Sequence, residues 1–162
     1  MAAGAQGDRS AREGLPMTWD EYGMSIARAV AAKSKDPSTR AGCALLDREG
    51  RVVSTGFNGL PRCVPDDAAI LEHRETKLSL VLHAEENALL FARQSLDGCT
   101  AYVWPMPPCS RCAAKLAQAG IRRVVAPQPS GEQMARWGPS LELAAWVYRH
   151  AGIEFAQVDR DA

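Results

Sequence analysis

The sequence predicts a three-layer α/β domain built on a mixed sheet. Three observations carry this: an amphipathic helix near the start, a hairpin pattern after it, and alternating helix and strand signals through the remainder.

The first helix is expected over residues 18–32. Thr18 suits an N-cap and Glu21 follows three residues later, the spacing of a capping box. Trp19, Tyr22, Ile26, Ala29 and Val30 form one apolar stripe. A polar turn with a proline, 33–40, ends the helix. Residues 42–46 and 51–57 read as two strands of a hairpin joined by the turn 47–50. Asn58, Gly59, Leu60 and Pro61 signal a loop. Residues 62–77 form a long, polar, irregular stretch, the kind of segment that carries substrate contacts. A helix, or a helix with an extended lead-in, follows over 79–95, with Leu89, Leu90 and Phe91 as its apolar face, and then a short strand over 100–104. After the loop 105–108, a helix over 109–120 closes at Gly120. A strand over 121–126, a helix over 141–151, a turn at Gly152 and a strand over 153–158 complete the chain.

Lys plus Arg and Asp plus Glu number 19 each, so the 162-residue chain carries no net charge. That disfavours a protein gripping long nucleic acid, which needs a basic face; it leaves room for a basic pocket holding one phosphorylated nucleotide. No apolar run is long enough to span a membrane. Residues 1–15 are rich in Ala and Gly, lack the apolar stretch of a secretory signal, and read as a disordered tail. Five cysteines, an odd number, fit a reducing cytoplasm and metal binding better than a disulfide framework.

Two motifs carry chemistry. One is His83-Ala84-Glu85; the other is Pro108-Cys109-Ser110-Arg111-Cys112. Each is expected at a helix start, where unpaired amides and the helix dipole favour thiolates. One His and two Cys make three ligands for Zn2+ and leave a fourth tetrahedral position for water, the composition of a catalytic rather than a structural zinc. The metal lowers the pKa of that water. Glu85, two residues past the histidine, is placed to move protons without binding zinc. The combined pattern matches that of zinc nucleobase deaminases. Alone, Cys-x-x-Cys is also compatible with a redox dithiol or half of a structural zinc site.

Further residues mark a resemblance: Ser34-Lys35-Asp36-Pro37-Ser38-Thr39, Gly42-Cys43, Gly56-Phe57-Asn58-Gly59-Leu60-Pro61, and His83 through Leu89 including Asn87. With these the chain resembles the deoxycytidylate (dCMP) deaminases of the cytidine deaminase-like superfamily over roughly residues 19–126. The resemblance implies an α/β/α fold with a mixed five-stranded sheet, zinc between two helix starts, and dCMP as substrate with dUMP and ammonia as products. It implies that His83, Cys109 and Cys112 hold zinc, that Glu85 shuttles protons, that Asn58 contacts the nucleotide, and that the backbone near Ala84 and Cys109 reads the pyrimidine edge. It also suggests a homo-oligomer and a deaminase domain over residues 16–162.

Two departures stand out. Four residues, Trp104-Pro105-Met106-Pro107, precede Pro-Cys where the family usually has three, which adds bulk and stiffness beside the pocket. Cys63 stands near where the family often has Gly. Both bear on substrate identity, so a deaminase of another base, nucleoside or modified nucleotide is a competing expectation. A non-catalytic nucleotide-binding protein is a third, disfavoured by Glu85. Arg62, Arg74 and Lys77 are candidates for a phosphate contact. Cys63 and His73 are expected to face solvent or pack rather than bind a second zinc, and Trp137 and Trp146 to serve packing or subunit contacts.

Overall fold

A computed structural model describes residues 15–160. The expected tail at 1–15 therefore lies, except for Leu15, outside the described residues. Helix α1 (Trp19–Ala31) starts at the predicted cap. Thr18 Oγ1 accepts from the Glu21 amide at 3.2 Å, and Glu21 accepts in return from the Thr18 amide. Its buried face, Gly23, Met24, Ala27 and Ala31, lies on the sheet.

Strand β1 (Gly42–Leu46) is buried along its whole length, because it is central and covered on both sides. Strand β2 (Val52–Phe57) is an edge strand and turns Ser54 and Gly56 inward. With β3 (Thr100–Trp104), β4 (Arg123–Pro127) and β5 (Glu154–Val158) the order is β2-β1-β3-β4-β5. β1 is antiparallel to both neighbours; β3, β4 and β5 run parallel. The expected mixed five-stranded sheet is present. On one face Met24 and Ala27 pack with Ala44, Leu46, Tyr102 and Val125. On the other, Cys43, Leu45, Ala101, Val103 and Val124 meet the apolar sides of the remaining large helices. Those helices are α4 (Ala84–Phe91), α5 (Ser110–Gln118) and α6 (Gly131–Ala151). Among the described residues no helix is long and apolar enough to cross a membrane.

Two expectations about local structure need correction, and a third is narrowed. Residues 62–77 are not irregular: they contain α2 (Ala68–Glu72) and begin α3 (Arg74–Leu80). Both helices are too short, at five and seven residues, for an apolar period to announce them. Asp67 caps α2 by accepting from the Ala69 amide at 2.8 Å, and burial of Leu71 and Lys77 holds the pair in place. Helix α4 begins at Ala84 after an extended lead-in, the second of the two forms expected, because Leu82 exchanges backbone hydrogen bonds with Gly59 (3.1 and 2.9 Å). Helix α6 begins ten residues earlier than expected. Gly138 and Pro139 suggest a break, but a Ser130–Gln133 capping box starts the helix upstream and it continues through the proline.

Candidate active site

Two helix starts meet on the α4–α5 side of the sheet. His83 is the N-cap of α4 and Cys109 the N-cap of α5. Glu86 Oε2 accepts from the His83 amide at 2.7 Å and so satisfies the cap, while the His83 imidazole lies against the two cysteine sulfurs of α5. Lys115 of α5 pairs with Glu86 Oε1 and ties the two helices together.

His83 Nδ1 lies 3.6 Å from Cys109 Sγ and 3.3 Å from Cys112 Sγ, and all three ligand atoms fall within 4.8 Å of one another. Tetrahedral zinc, with sulfur at about 2.3 Å and nitrogen at about 2.0–2.1 Å, requires a nitrogen–sulfur edge of about 3.6 Å. The donor set and its spacing fit zinc and leave one coordination position open. Among the described residues no other group of three His, Cys, Asp or Glu side chains is spaced to share a metal. Protons are already unevenly distributed within the triad. A hydrogen bond from Cys112, together with the nearby His83, lowers the Cys109 thiol to about 4. The bond to Cys109 raises His83 to about 9, and Cys112 is pushed up by its bond to Cys109 and by burial. Zinc competes with these protons for the same lone pairs.

Glu85 is 5% exposed and lines a cavity of about 420 Å³ beside His83 and Cys109. Burial raises its carboxyl above the ordinary glutamate value, which suits a group that must accept and return a proton. Ala84, fully buried, contributes to the same wall.

Glycine at position 56 lets α4 lie flat on β2: a Cβ there would run into the backbone of Ala84 and Ala88. Ser54 Oγ donates to the Ala88 carbonyl at 2.7 Å and Asn87 Nδ2 to the Phe57 carbonyl at 2.7 Å. Asn87, a mark of the resemblance, therefore fastens α4 to the end of β2, next to Asn58.

Asn58 lines the cavity, 8% exposed. Its Nδ2 donates to the Thr39 carbonyl at 2.9 Å and reaches Asp36 at 3.4 Å, while its Oδ1 accepts from the Ala41 amide at 2.8 Å. Both donors are engaged, so an acceptor lone pair on Oδ1 is what it can still offer a ligand.

The three basic candidates part company. Arg74 and Lys77 line the cavity, whereas Arg62 is not among the lining residues and stacks over the Phe91 ring at 5.3 Å. Lys77 Nζ is bound to Asp36 Oδ1 at 3.1 Å and Ser38 Oγ at 3.0 Å. The inserted loop lines the cavity through Trp104, Met106 and Pro107. Sequence reasoning missed Arg136, and assigned Trp137 to packing; both, with Leu141, form part of the cavity wall. No local signal marks them, because α6 reaches the site only through tertiary packing. Cys63 is exposed, with a positive φ of 67° of the kind glycine adopts freely. His73 caps α3, its Nδ1 2.8 Å from Thr76 Oγ1.

An open three-donor zinc site beside a buried carboxylate, set on this sheet, defines a zinc-dependent deaminase of the cytidine deaminase type. The chain belongs to the family described as "Cytidine and deoxycytidylate deaminase zinc-binding region", whose profile matches residues 17–128. A curated relative from Aliivibrio fischeri, an uncharacterized deaminase in the luxG 3′ region, is 40% identical over 143 residues, 88% of this chain and 95% of that one. Deoxycytidylate deaminase from Mus musculus is 36% identical over 115 residues, covering 67% of this chain and 64% of its own length. The chain thus aligns with less than two thirds of that enzyme. The fold is also that of dCMP deaminase from the cyanophage S-TIM5, solved with dCMP and dUMP: TM-score 0.66 at 21% identity over 88% of this chain and 100% of the phage chain.

Proposed function

We propose that this protein hydrolyses the exocyclic amine of dCMP, giving dUMP and ammonia. The observation that carries this is the His83–Cys109–Cys112 triad, whose His83 and Cys109 open with buried Glu85 into a cavity lined by Asn58 and by basic side chains. Its relationship to a murine deoxycytidylate deaminase supports the substrate.

In this reading His83, Cys109 and Cys112 hold zinc, which supplies Lewis-acid activation of water near neutral pH. Glu85 takes a proton from the attacking water and passes it to the ring nitrogen. As the C4–N bond breaks, Glu85 carries the proton of the new C4 hydroxyl to the departing amine, so that one water is consumed, ammonia leaves and a carbonyl remains. The Ala84 backbone faces the pyrimidine edge. Asn58 accepts from a sugar hydroxyl through its remaining lone pair. Arg74 is the basic residue of α3 with a guanidinium left for phosphate, since Lys77 is engaged by Asp36. Arg62 contributes through its stack on Phe91 and not through a direct contact.

A second reading, deamination of another amino-bearing base, nucleoside or modified nucleotide, is favoured by the bulky wall of Trp104, Met106, Pro107 and Trp137. Ammonia release by zinc-loaded protein from dCMP, dCTP, CMP, deoxycytidine, cytosine, adenosine and guanine separates the two. Preference for dCMP supports the first; silence on dCMP with turnover of another compound supports the second. No turnover of any of them, with zinc bound, would point to a non-catalytic nucleotide-binding protein.

We also propose a single deaminase domain over residues 16–162 that assembles as a homo-oligomer in the cytoplasm. Exposed Leu90 and Phe91 on α4, and Leu143 and Trp146 on α6, support assembly, and five free thiols suit a reducing compartment. Sedimentation and cell fractionation test these statements.

A further inference from the structure

We propose that Arg136, on the first half of α6, is a specificity-determining residue that receives the substrate phosphate together with Arg74 at the mouth of the cavity. The proposal rests on the nucleotide reading above and deepens it.

Three basic side chains line the cavity: Arg74, Lys77 and Arg136. Lys77 is buried and held by Asp36 and Ser38. Arg74 and Arg136 are exposed while Glu85 is buried, so the two arginines stand at the mouth and the acid–base group at the floor. Among the described residues neither arginine is paired with a carboxylate. Glu72 also lines the cavity, leaving the two arginines with one excess positive charge over it. The Arg136 guanidinium lies over the Trp137 ring at 5.2 Å. That contact restrains its plane and leaves its N–H edge available for a fork onto phosphate oxygens.

Arg136 is held between two anchors. Upstream, Arg160 Nη2 donates to Gln133 Oε1 at 2.7 Å, and the same Arg160 lies over Trp104, a wall of the cavity. Downstream, Ser140 Oγ accepts from the Ser110 amide at 3.0 Å and shares a 3.1 Å bond with the Ser110 hydroxyl. Ser110 stands next to the Cys109 ligand, at the start of α5. Residues 133, 136 and 140 are spaced i, i+3 and i+7, one face of a helix. These contacts, one to the segment after β5 and one to the zinc-binding helix, moor the face of α6 from which Arg136 lines the cavity. Arg136 lies beyond residues 17–128, outside the segment matched by the family profile.

The test compares zinc-loaded wild type, R136Q, R136K and, as a control outside the cavity, R149Q. Steady-state kinetics are measured on dCMP and on deoxycytidine, and binding of dUMP and of inorganic phosphate by calorimetry. R136Q is expected to lower kcat/KM for dCMP by about 10–100-fold, chiefly through KM, to weaken dUMP binding by a similar factor, and to leave deoxycytidine turnover unchanged. R136K recovers part of the loss and R149Q shows none. Equal effects of R136Q on nucleotide and nucleoside, or no effect on either, would overturn the assignment. If the wild type does not turn over dCMP, the nucleotide reading fails by itself. Phosphate binding then still decides the inference: weaker binding by R136Q than by wild type upholds the anion site, and equal or absent binding in both removes it.

Discussion

The Lys77 ammonium lies 3.1 Å from the Asp36 carboxylate, and each side chain is less than one tenth exposed. This pair joins α3 to the segment between α1 and β1 and forms part of the cavity wall. Removing one partner leaves an uncompensated buried charge. K77M is expected to cost about 3–5 kcal/mol, and K77M/D36N to recover part of it. Urea denaturation of the two variants measures the difference.

Replacing Glu85 by Gln keeps the shape of the side chain and removes its basicity. E85Q is expected to retain zinc by metal analysis while kcat falls by about 10²–10⁴-fold. Loss of zinc along with activity would assign Glu85 to the metal instead.

Zinc should also support the fold, because it joins the starts of α4 and α5. Chelation is expected to abolish activity and lower Tm, and added zinc to restore both. In C112A neither treatment should change Tm, as read by thermal unfolding with and without chelator.

Asp20 couples α1 to β4. Its carboxylate accepts two bonds from Arg123, at 2.6 and 2.9 Å, which hold its pKa below the ordinary aspartate value against the opposing effect of burial. A depressed folded-state pKa stabilises above the unfolded value and is lost as pH falls through the folded one. D20N should therefore be less stable than wild type at pH 7, by about 0.5–1 kcal/mol for this partly exposed pair. The gap should close as pH drops below about 4. Denaturation curves at both pH values test the sign.

Gly56 sets the distance between β2 and α4. G56A is expected to cost about 1–3 kcal/mol through overpacking and to reduce activity, since the displaced helix carries His83 and Glu85. Wild-type Tm and activity in this variant would show that the two elements separate without disturbing the site.

The metal-ligand set and Glu85 were legible because each lies in a short motif at a helix start, although only the packing of α4 beside α5 brings His83 to Cys109 and Cys112. The main strands were legible for a similar reason: β1 is a continuous apolar run and β3 precedes a proline loop. Helices α2 and α3 were not, since they are held by caps and by burial of Leu71 and Lys77 against distant segments. The start of α6 was obscured by Gly138 and Pro139, local breakers that packing onto α5 and the capping box at Ser130 override.

The sequence by itself determined the chemistry: a His-Cys-Cys donor set with a neighbouring carboxylate, on a chain whose helix and strand signals alternate. Tertiary structure alone decided which charged groups surround the cavity. Arg62 stacks on Phe91, Lys77 is taken by Asp36, and Arg136 arrives from a helix beyond the matched family segment. The physical reason is range. A motif at a helix start needs contacts a few residues apart, whereas the direction and pairing of a long cationic side chain depend on partners brought near only by the packed fold.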